Sequence, residues 1–442
     1  MLPERSRRHV ILKLALPIIG GMLSQSLLNL IDAALVGKLG ETALAGVGIG
    51  GYAMFMVTAI MFGLSSGVQA QTARRHGEQA WSHRAGALNA GLIIAFLVAL
   101  PLTLFCLWQA PWLLSLIGQD AEVNDIAIDY FRWRVLGLVA IAMIFCFRGF
   151  WNGIQRTGLY LGIIMVTHLV NVLASVGLIF GHMGLPTMGA AGAGAGTTIS
   201  IVIGLCLWFG YSLRFAIPSG FLAHRPTLRV FTTTIRLAAP HSFQQLWFAG
   251  GYAVLFWILG HLSTSSVAVG HVLVNLSLFL ILPGVGLGLA AMSLVGQAMG
   301  RDEQVDAHRW GWDVVRIAWV SLALLALPML IFPDQVLSLF LAEEELIAMG
   351  RLPLQLTALM IVLDAAALVL GQALLGAGAN RTVMTTTLAT QWLLFLPLAW
   401  WVGVTLGYGL LGIWWIQLAY RCLNSLWFAL IWQRRRWQEL IL

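Results

Sequence analysis

Charge is what this sequence lacks first. Only 10% of its 442 residues are Asp, Glu, Lys or Arg, against roughly 25% in an ordinary soluble domain. A soluble chain with so few charges could not cover its surface, and a disordered chain would carry more charge and far less apolar bulk. Cysteine is scarce as well. Cys106, Cys146, Cys206 and Cys422 stand singly inside apolar runs, which excludes a secreted disulfide scaffold. No two of them have metal-ligand spacing, so all four read as buried fillers. Acidic residues number 18 against 25 basic ones, yet nucleic-acid binding does not follow. Proteins that bind nucleic acid cluster basic residues on a polar surface, whereas here Lys and Arg sit in short segments between apolar runs, as in membrane proteins. A Walker loop, an HExxH helix and an Asp-rich motif for a metal–pyrophosphate complex are also missing. No small-residue cleavage site follows the basic start MLPERSRRH, so the first apolar run is expected to stay as a span.

What is present is apolar sequence: 59% hydrophobic residues and a mean hydropathy of +0.86. A membrane span needs about 20 such residues, which leaves room for roughly a dozen spans. Apolar runs lie near 11–36, 45–70, 86–108, 125–151, 158–181, 189–213, 235–260, 268–297, 313–333, 352–375, 383–405 and 408–432. Arginines crowd the two termini, the even-numbered gaps and the segment 214–234, while acids such as Glu41, Asp120, Glu122, Asp334 and Glu343 hold the odd-numbered gaps. Lys38, Arg132, Arg134 and Arg351 are the basic exceptions on that side. The positive-inside rule then places both termini in the cytoplasm, with an even number of spans; the location expected is the cytoplasmic (inner) membrane.

Slid along itself by half its length, the chain matches itself at a single offset. Pro17 falls on Pro240, Gly37 on Gly260, Ala45 on Ala268, Gly63 on Gly286, Gly77 on Gly300 and Gly153 on Gly376. The expected fold is therefore an all-α integral membrane protein of twelve transmembrane helices in two pseudo-symmetric six-helix lobes. The lobes would be 1–213 and 235–442, joined by a cytoplasmic linker at 214–234. Repeated halves are the common plan of secondary transporters.

The same shift exposes asymmetry. Asp32 falls on Leu255, His168 on Gln391, Asn171 on Leu394 and Asp364 on Ile141. Folding alone would let both halves keep the apolar residue. Asp32 is the sharpest signal, since an acid at a helix centre costs about 2.5–3.5 kcal/mol on insertion scales. Gln25, Asn29 and Asp32 share one helical face, as do His168, Asn171 and Ser175. A carboxyl group in apolar surroundings can take a proton from one side and release it on the other, and Asn171 could bond either form of Asp32. The alternative for Asp32 is a permanently neutral acid bonded to Asn29. Asp364 and Arg421 lie mid-span and could pair, either as a structural ion pair or as a second coupling site. His271 with Asn275 reads as polar packing, and GAAGAGAGTT at 189–198 as close helix packing. Met54, Met56, Met61 and Met292 are candidate lining for a promiscuous pocket.

LALPIIGGMLSQSLLNLIDAALVGKLGETALAGVGIG resembles the first-span signature of the multidrug and toxic compound extrusion (MATE) transporters, DinF-type branch. YFRWRVLG, RGFWNGIQRT, HLVNVLASVGLIFG, LVGQAMGR and LLGAGANRT are similar to further stretches of that family. The resemblance implies a drug efflux antiporter driven by a proton or sodium gradient, with a central cavity between the lobes. It implies roles for the first-span acid Asp32, the fourth-span Tyr130 and the fifth-span Asn171. Two departures stand out: Ser175 occupies a position where many relatives carry Asp, and the seventh span, PHSFQQLWFAGGYAVLFW, holds no acid. A hard cation wants several oxygen ligands, so Ser175 disfavours Na⁺.

The function expected is proton-coupled export of amphipathic, cationic organic compounds, with Asp32 as the proton site. Gln25, Asn29, Tyr130, His168, Asn171 and Ser175 would support the cavity, and Asp364 and Arg421 are the second-lobe candidates. The partners expected are drug-like small molecules, protons and the lipid bilayer, with no nucleic acid, metal or cofactor, the chain acting as a monomer. The rivals are a Na⁺-coupled antiporter, a flippase for a lipid-linked precursor, and an integral-membrane transferase.

Overall fold

A computed structural model describes every residue but 1–2, 119, 224 and 441–442. Helix is the only regular structure among the described residues. The helices are α1 Arg5–Gly37, α2 Glu41–Gly77, α3 Gly86–Ser115, α4 Ala121–Val135, α5 Leu138–Gly153, α6 Thr157–Phe180, α7 Ala190–Phe215 and α8 Leu228–Gly260. They continue with α9 Thr264–Gly300, α10 Gln304–Ile331, the short α11 Pro333–Ser338, α12 Glu344–Ala377, α13 Asn380–Leu388, α14 Leu396–Trp400 and α15 Gly409–Gln433. Two π-helical stretches, Ala389–Phe395 and Trp401–Thr405, join α13 and α14 into one span ending at Thr405.

Among the described residues, nine spans are long and apolar enough to cross a membrane alone, and α4 with α5, bent by 48°, form a tenth. The long helices α8 and α15 complete the expected twelve. They carry polar side chains within their length, His241, Gln244 and Gln245 in α8 and Gln417, Arg421 and Asn424 in α15. Helix ends follow local chemistry. The Asp120 carboxylate caps α4, accepting from the backbone N–H of Glu122 at 2.9 Å and of Val123 at 3.1 Å. Gly181 ends α6 in the left-handed region, φ 73°, where a side chain would be strained.

The chain divides into two compact units, Gly20–Ser242 and Met1–Ile19 with Phe243–Leu442. The contacts therefore do not divide the chain at 214–234. The two boundaries, after Ile19 and after Ser242, stand at the same offset as the sequence repeat, and each comes just after a repeated proline, Pro17 or Pro240. Proline interrupts the helical hydrogen-bond ladder, so these are the places where a long helix most readily changes its packing partners.

Specific bonds hold each half-helix in its unit. Within the Gly20–Ser242 unit, Gln71 Nε2 donates to Thr234 Oγ1 at 2.8 Å, and His241 Nδ1 lies 2.7 Å from Ser66 Oγ. The connecting segment packs there too, with Asn89 Nδ2 donating to the Gly220 carbonyl at 2.9 Å. In the other unit, Arg7 bonds Asp313 at 2.6 Å and Asp306 at 2.7 Å and lies 3.5 Å from the centre of the Trp310 ring.

Packing corrects two expectations. Met54 and Met61 belong to the aromatic core of the first unit, with Phe131, Phe147, Phe150 and Trp208, and Met292 is also fully buried. Met56 is half-buried, but the other three methionines fill cores rather than line a pocket. Among the cysteines, Cys106 and Cys146 are buried, but Cys422 is half-buried and Cys206 exposed. A thiol on a lipid-facing surface costs little, because the surrounding solvent is itself apolar.

Candidate functional site

The small-residue run that opens α7 sets the geometry. With no side chain at Gly192, Gly194 and Gly196, α7 approaches the backbone of α6 at Leu178, of α4 at Tyr130 and of α6 again at Ser175. Farther along, Asn171 Nδ2 donates to Ser200 Oγ at 3.4 Å, and Thr198 Oγ1 donates to the Trp133 carbonyl at 2.7 Å. Helices α6 and α7 thus run antiparallel, whereas α4 and α7 run parallel. A Cβ at position 196 would stand 2.7 Å from both the backbone N and Oγ of Ser175. Gly196→Ala is therefore expected to cost about 1–3 kcal/mol, the usual penalty of overpacking, read as a lower melting temperature of the purified protein.

α1 joins beside α6 and runs parallel to it. Gln25 Oε1 lies 3.1 Å from His168 Nε2. Near the end where α1 turns into α2, Val36 and Ile179 share a small apolar cluster with Ala43, Tyr130 and Ala193. Gln25 and His168 are as far apart in the chain as Val36 and Ile179, and the same separation puts Asp32 level with Ser175. The polar faces of α1 and α6 therefore form one column, with the Tyr130 cluster at one end.

The sequence-derived candidates take distinct places in it. His168, Asn171 and Ser175 are buried, Gln25 and Asn29 are exposed, and Asp32 is half-buried. Gln25 Nε2 donates to Asn29 Oδ1 at 3.1 Å. The expected bond between Asn171 and Asp32 is not made: Asn171 donates to Ser200 and accepts from Ser175 Oγ at 3.3 Å. The buried Oδ1 of Asp32 makes no hydrogen bond to any described residue. Arg134, near the end of α4, is half-buried, and its Nε and Nη1 are buried. Sequence reasoning missed Ser200 and the burial of Arg134. A lone serine in a small-residue helix gives no signal, but an arginine inside the fourth apolar run does. In the charge pattern it reads only as an exception.

The expected partnership of Asp364 and Arg421 is present. Arg421 Nη1 lies 2.8 Å from Asp364 Oδ2, with both side chains buried. Arg421 also places Nη2 3.5 Å from the Tyr252 hydroxyl and lies over the Tyr420 ring. Gln391 and Gln417 line the narrow cavity beside this pair. Two buried ions that neutralise one another at contact distance form a tightly constrained arrangement. His271 and Asn275 are exposed and bond along their own helix, Asn275 Nδ2 donating to the His271 carbonyl at 2.9 Å.

The MatE family profile matches the chain twice, over residues 17–177 and 240–401. The second match begins at Pro240 and the first at Pro17, the pair that opens the repeat found in the sequence. A probable multidrug resistance protein NorM from Pseudomonas aeruginosa is 27% identical over 425 residues, covering 93% of this chain and 86% of that protein. A protein of the same description from Mannheimia succiniciproducens is 24% identical over 397 residues, covering 87% and 84%. In structure, an outward-facing multidrug resistance MATE family transporter of the MOP superfamily superposes with a TM-score of 0.89, 20% identity and 97% coverage of both chains. A MOP superfamily transporter from Pyrococcus furiosus superposes with a TM-score of 0.88, 21% identity and coverage of 97% of this chain and 96% of that one. With twelve helical spans, a duplicated sequence and two matches that together span most of its length, this chain belongs to the MatE family.

Proposed function

We propose that the protein is a secondary active multidrug efflux antiporter of the DinF-type branch, exporting amphipathic cationic organic compounds in exchange for protons. The observation that carries the reading is Asp32: a carboxyl group within a membrane-spanning helix, one oxygen buried and unbonded among the described residues, at the head of a polar column. Such an acid is costly and marks a functional site by default. A proton on Asp32 favours one conformation and its release the other, each ligand shifting the balance by its differential affinity. The relatives named as multidrug resistance proteins support the substrate class. The arginine-rich segments support cytoplasmic termini, and the exporter would act in the inner membrane as a monomer without catalysing a reaction.

The test is dye export from vesicles under an imposed pH gradient. Ser175 stands level with Asp32 and supplies no second carboxylate. Export is therefore expected to proceed in Na⁺-free buffer and to stop when the pH gradient is collapsed by an ionophore. Export that needs Na⁺ at constant pH would replace the proton by sodium. A flippase would move a fluorescent lipid-linked precursor and leave the dye untouched.

A further inference from the structure

Arg134 has no place in the function described so far. It lies one residue before the end of α4, near the 48° bend into α5. It is half-buried, and its Nε and Nη1 are buried without a hydrogen bond to any described residue. An arginine inside a membrane is as costly as an acid there and is kept where it faces a partner or a cavity.

The register of the four helices says which partner. Thr198 of α7 bonds the Trp133 carbonyl, so Arg134 sits at the level of residue 198. Gly196 meets Ser175, and Ser175 is level with Asp32. The α-carbons of Arg134 and Asp32 are thus about two residues apart along the bundle, roughly 3 Å at the helical rise. In a helix the side chain leans toward its own N-terminus. α1 and α4 run in opposite directions, so Asp32 leans toward the level of Arg134, and Arg134 leans toward the level of Asp32. Each brings buried polar atoms that are otherwise unmatched. The other titratable groups around this level are few. α6 brings His168, already against Gln25; α4 brings the buried Tyr130 phenol, while its Asp129 and Arg132 are exposed; and α7 brings no charge before Arg214. α2 carries no charge between Glu41 and Arg74, only the exposed Tyr52 phenol.

We propose that Arg134 is the positioning counter-charge of Asp32: its guanidinium closes on the ionised carboxylate and is set free when that carboxylate takes up a proton. The inference rests on Asp32 being the proton site. It adds a means of exchange. With Asp32 ionised, the two side chains sum to zero charge; with Asp32 protonated, the site gains one positive charge. A cationic compound held there is repelled as the proton arrives, which is the sign an antiporter requires.

The experiment compares Arg134→Gln, Arg134→Lys, Asp32→Asn and Asp32→Asn/Arg134→Gln in reconstituted vesicles and in thermal melts of the purified proteins at alkaline pH. An opposite charge favours the ionised form of a carboxyl group. Arg134→Gln is therefore expected to reach half-maximal export at about tenfold lower proton concentration, and Arg134→Lys to keep the parent profile. In the melts, removing Arg134 is expected to lower the melting temperature more when Asp32 is present than when it is Asn. If Arg134→Gln does not fold, recovery of the fold in the double variant supports the pair, and its equal failure overturns it. An unchanged pH profile with additive melting shifts also overturns it. Normal export by Asp32→Asn would remove the proton site itself, while the melting comparison still decides whether the two side chains pair.

Discussion

Vesicles carrying Asp32→Asn are expected to export no more dye under a pH gradient than vesicles without the protein, although the variant folds and inserts. Asparagine is nearly isosteric with aspartate but cannot exchange a proton. The substitution therefore removes the coupling reaction and keeps the shape. Because Asp32 is half-buried and makes no hydrogen bond through Oδ1 to any described residue, its replacement leaves no broken bond there. The melting temperature should fall only slightly, since the counter-charge it frees, Arg134, is half-buried rather than sealed in a core. Loss of export with the fold retained separates a coupling role from a structural one. Normal export by the folded variant would move the proton site elsewhere.

The opposite pattern is expected at Asp364. Its carboxylate is buried against Arg421 at 2.8 Å, so Asp364→Asn leaves a guanidinium without its counter-ion in the core of the second unit. Breaking a buried pair from one side costs about 3–5 kcal/mol. Measured by thermal melting, this should be the most destabilising single substitution among the candidate residues. Asp364→Asn with Arg421→Gln removes both charges and is expected to recover most of the loss. The double variant also decides the mechanism. If it folds, binds dye and still exports under a pH gradient, coupling belongs to the first unit. If it binds but no longer exports, the proton site is shared and a mechanism through Asp32 alone fails.

These two acids show how far the residues speak for themselves. Both are legible as functional candidates because a carboxyl group in an apolar run stands out against its surroundings, whatever the fold. The internal repeat is legible because glycine and proline are constrained by backbone geometry, which both halves must satisfy: Gly63 and Gly286 both lie against neighbouring helices, and Pro17 and Pro240 both precede a change of unit. Less can be read of partners. Helical spacing suggests Asn171 as the partner of Asp32, but spacing fixes the face of a helix and not its height against a neighbour. The glycines of α7 set that height, and they bring Ser200 rather than Asp32 to Asn171. The methionines mislead for the same reason, since an apolar side chain looks alike in a core and in a pocket wall.

The sequence by itself determined the class of the molecule: a membrane-embedded helical chain, duplicated, with an unmatched mid-span acid in each half. Those properties are local or additive, a matter of hydropathy over the length of a span and of glycine and proline where the backbone demands them. The tertiary structure alone decided which polar groups meet. It seated residues up to Ile19 with the second half and residues up to Ser242 with the first, and it brought Arg134 to the level of Asp32. Such meetings depend on the relative height and rotation of helices packed side by side. That register is set by close backbone approach and side-chain interlock over the whole bundle, which no single stretch of sequence contains.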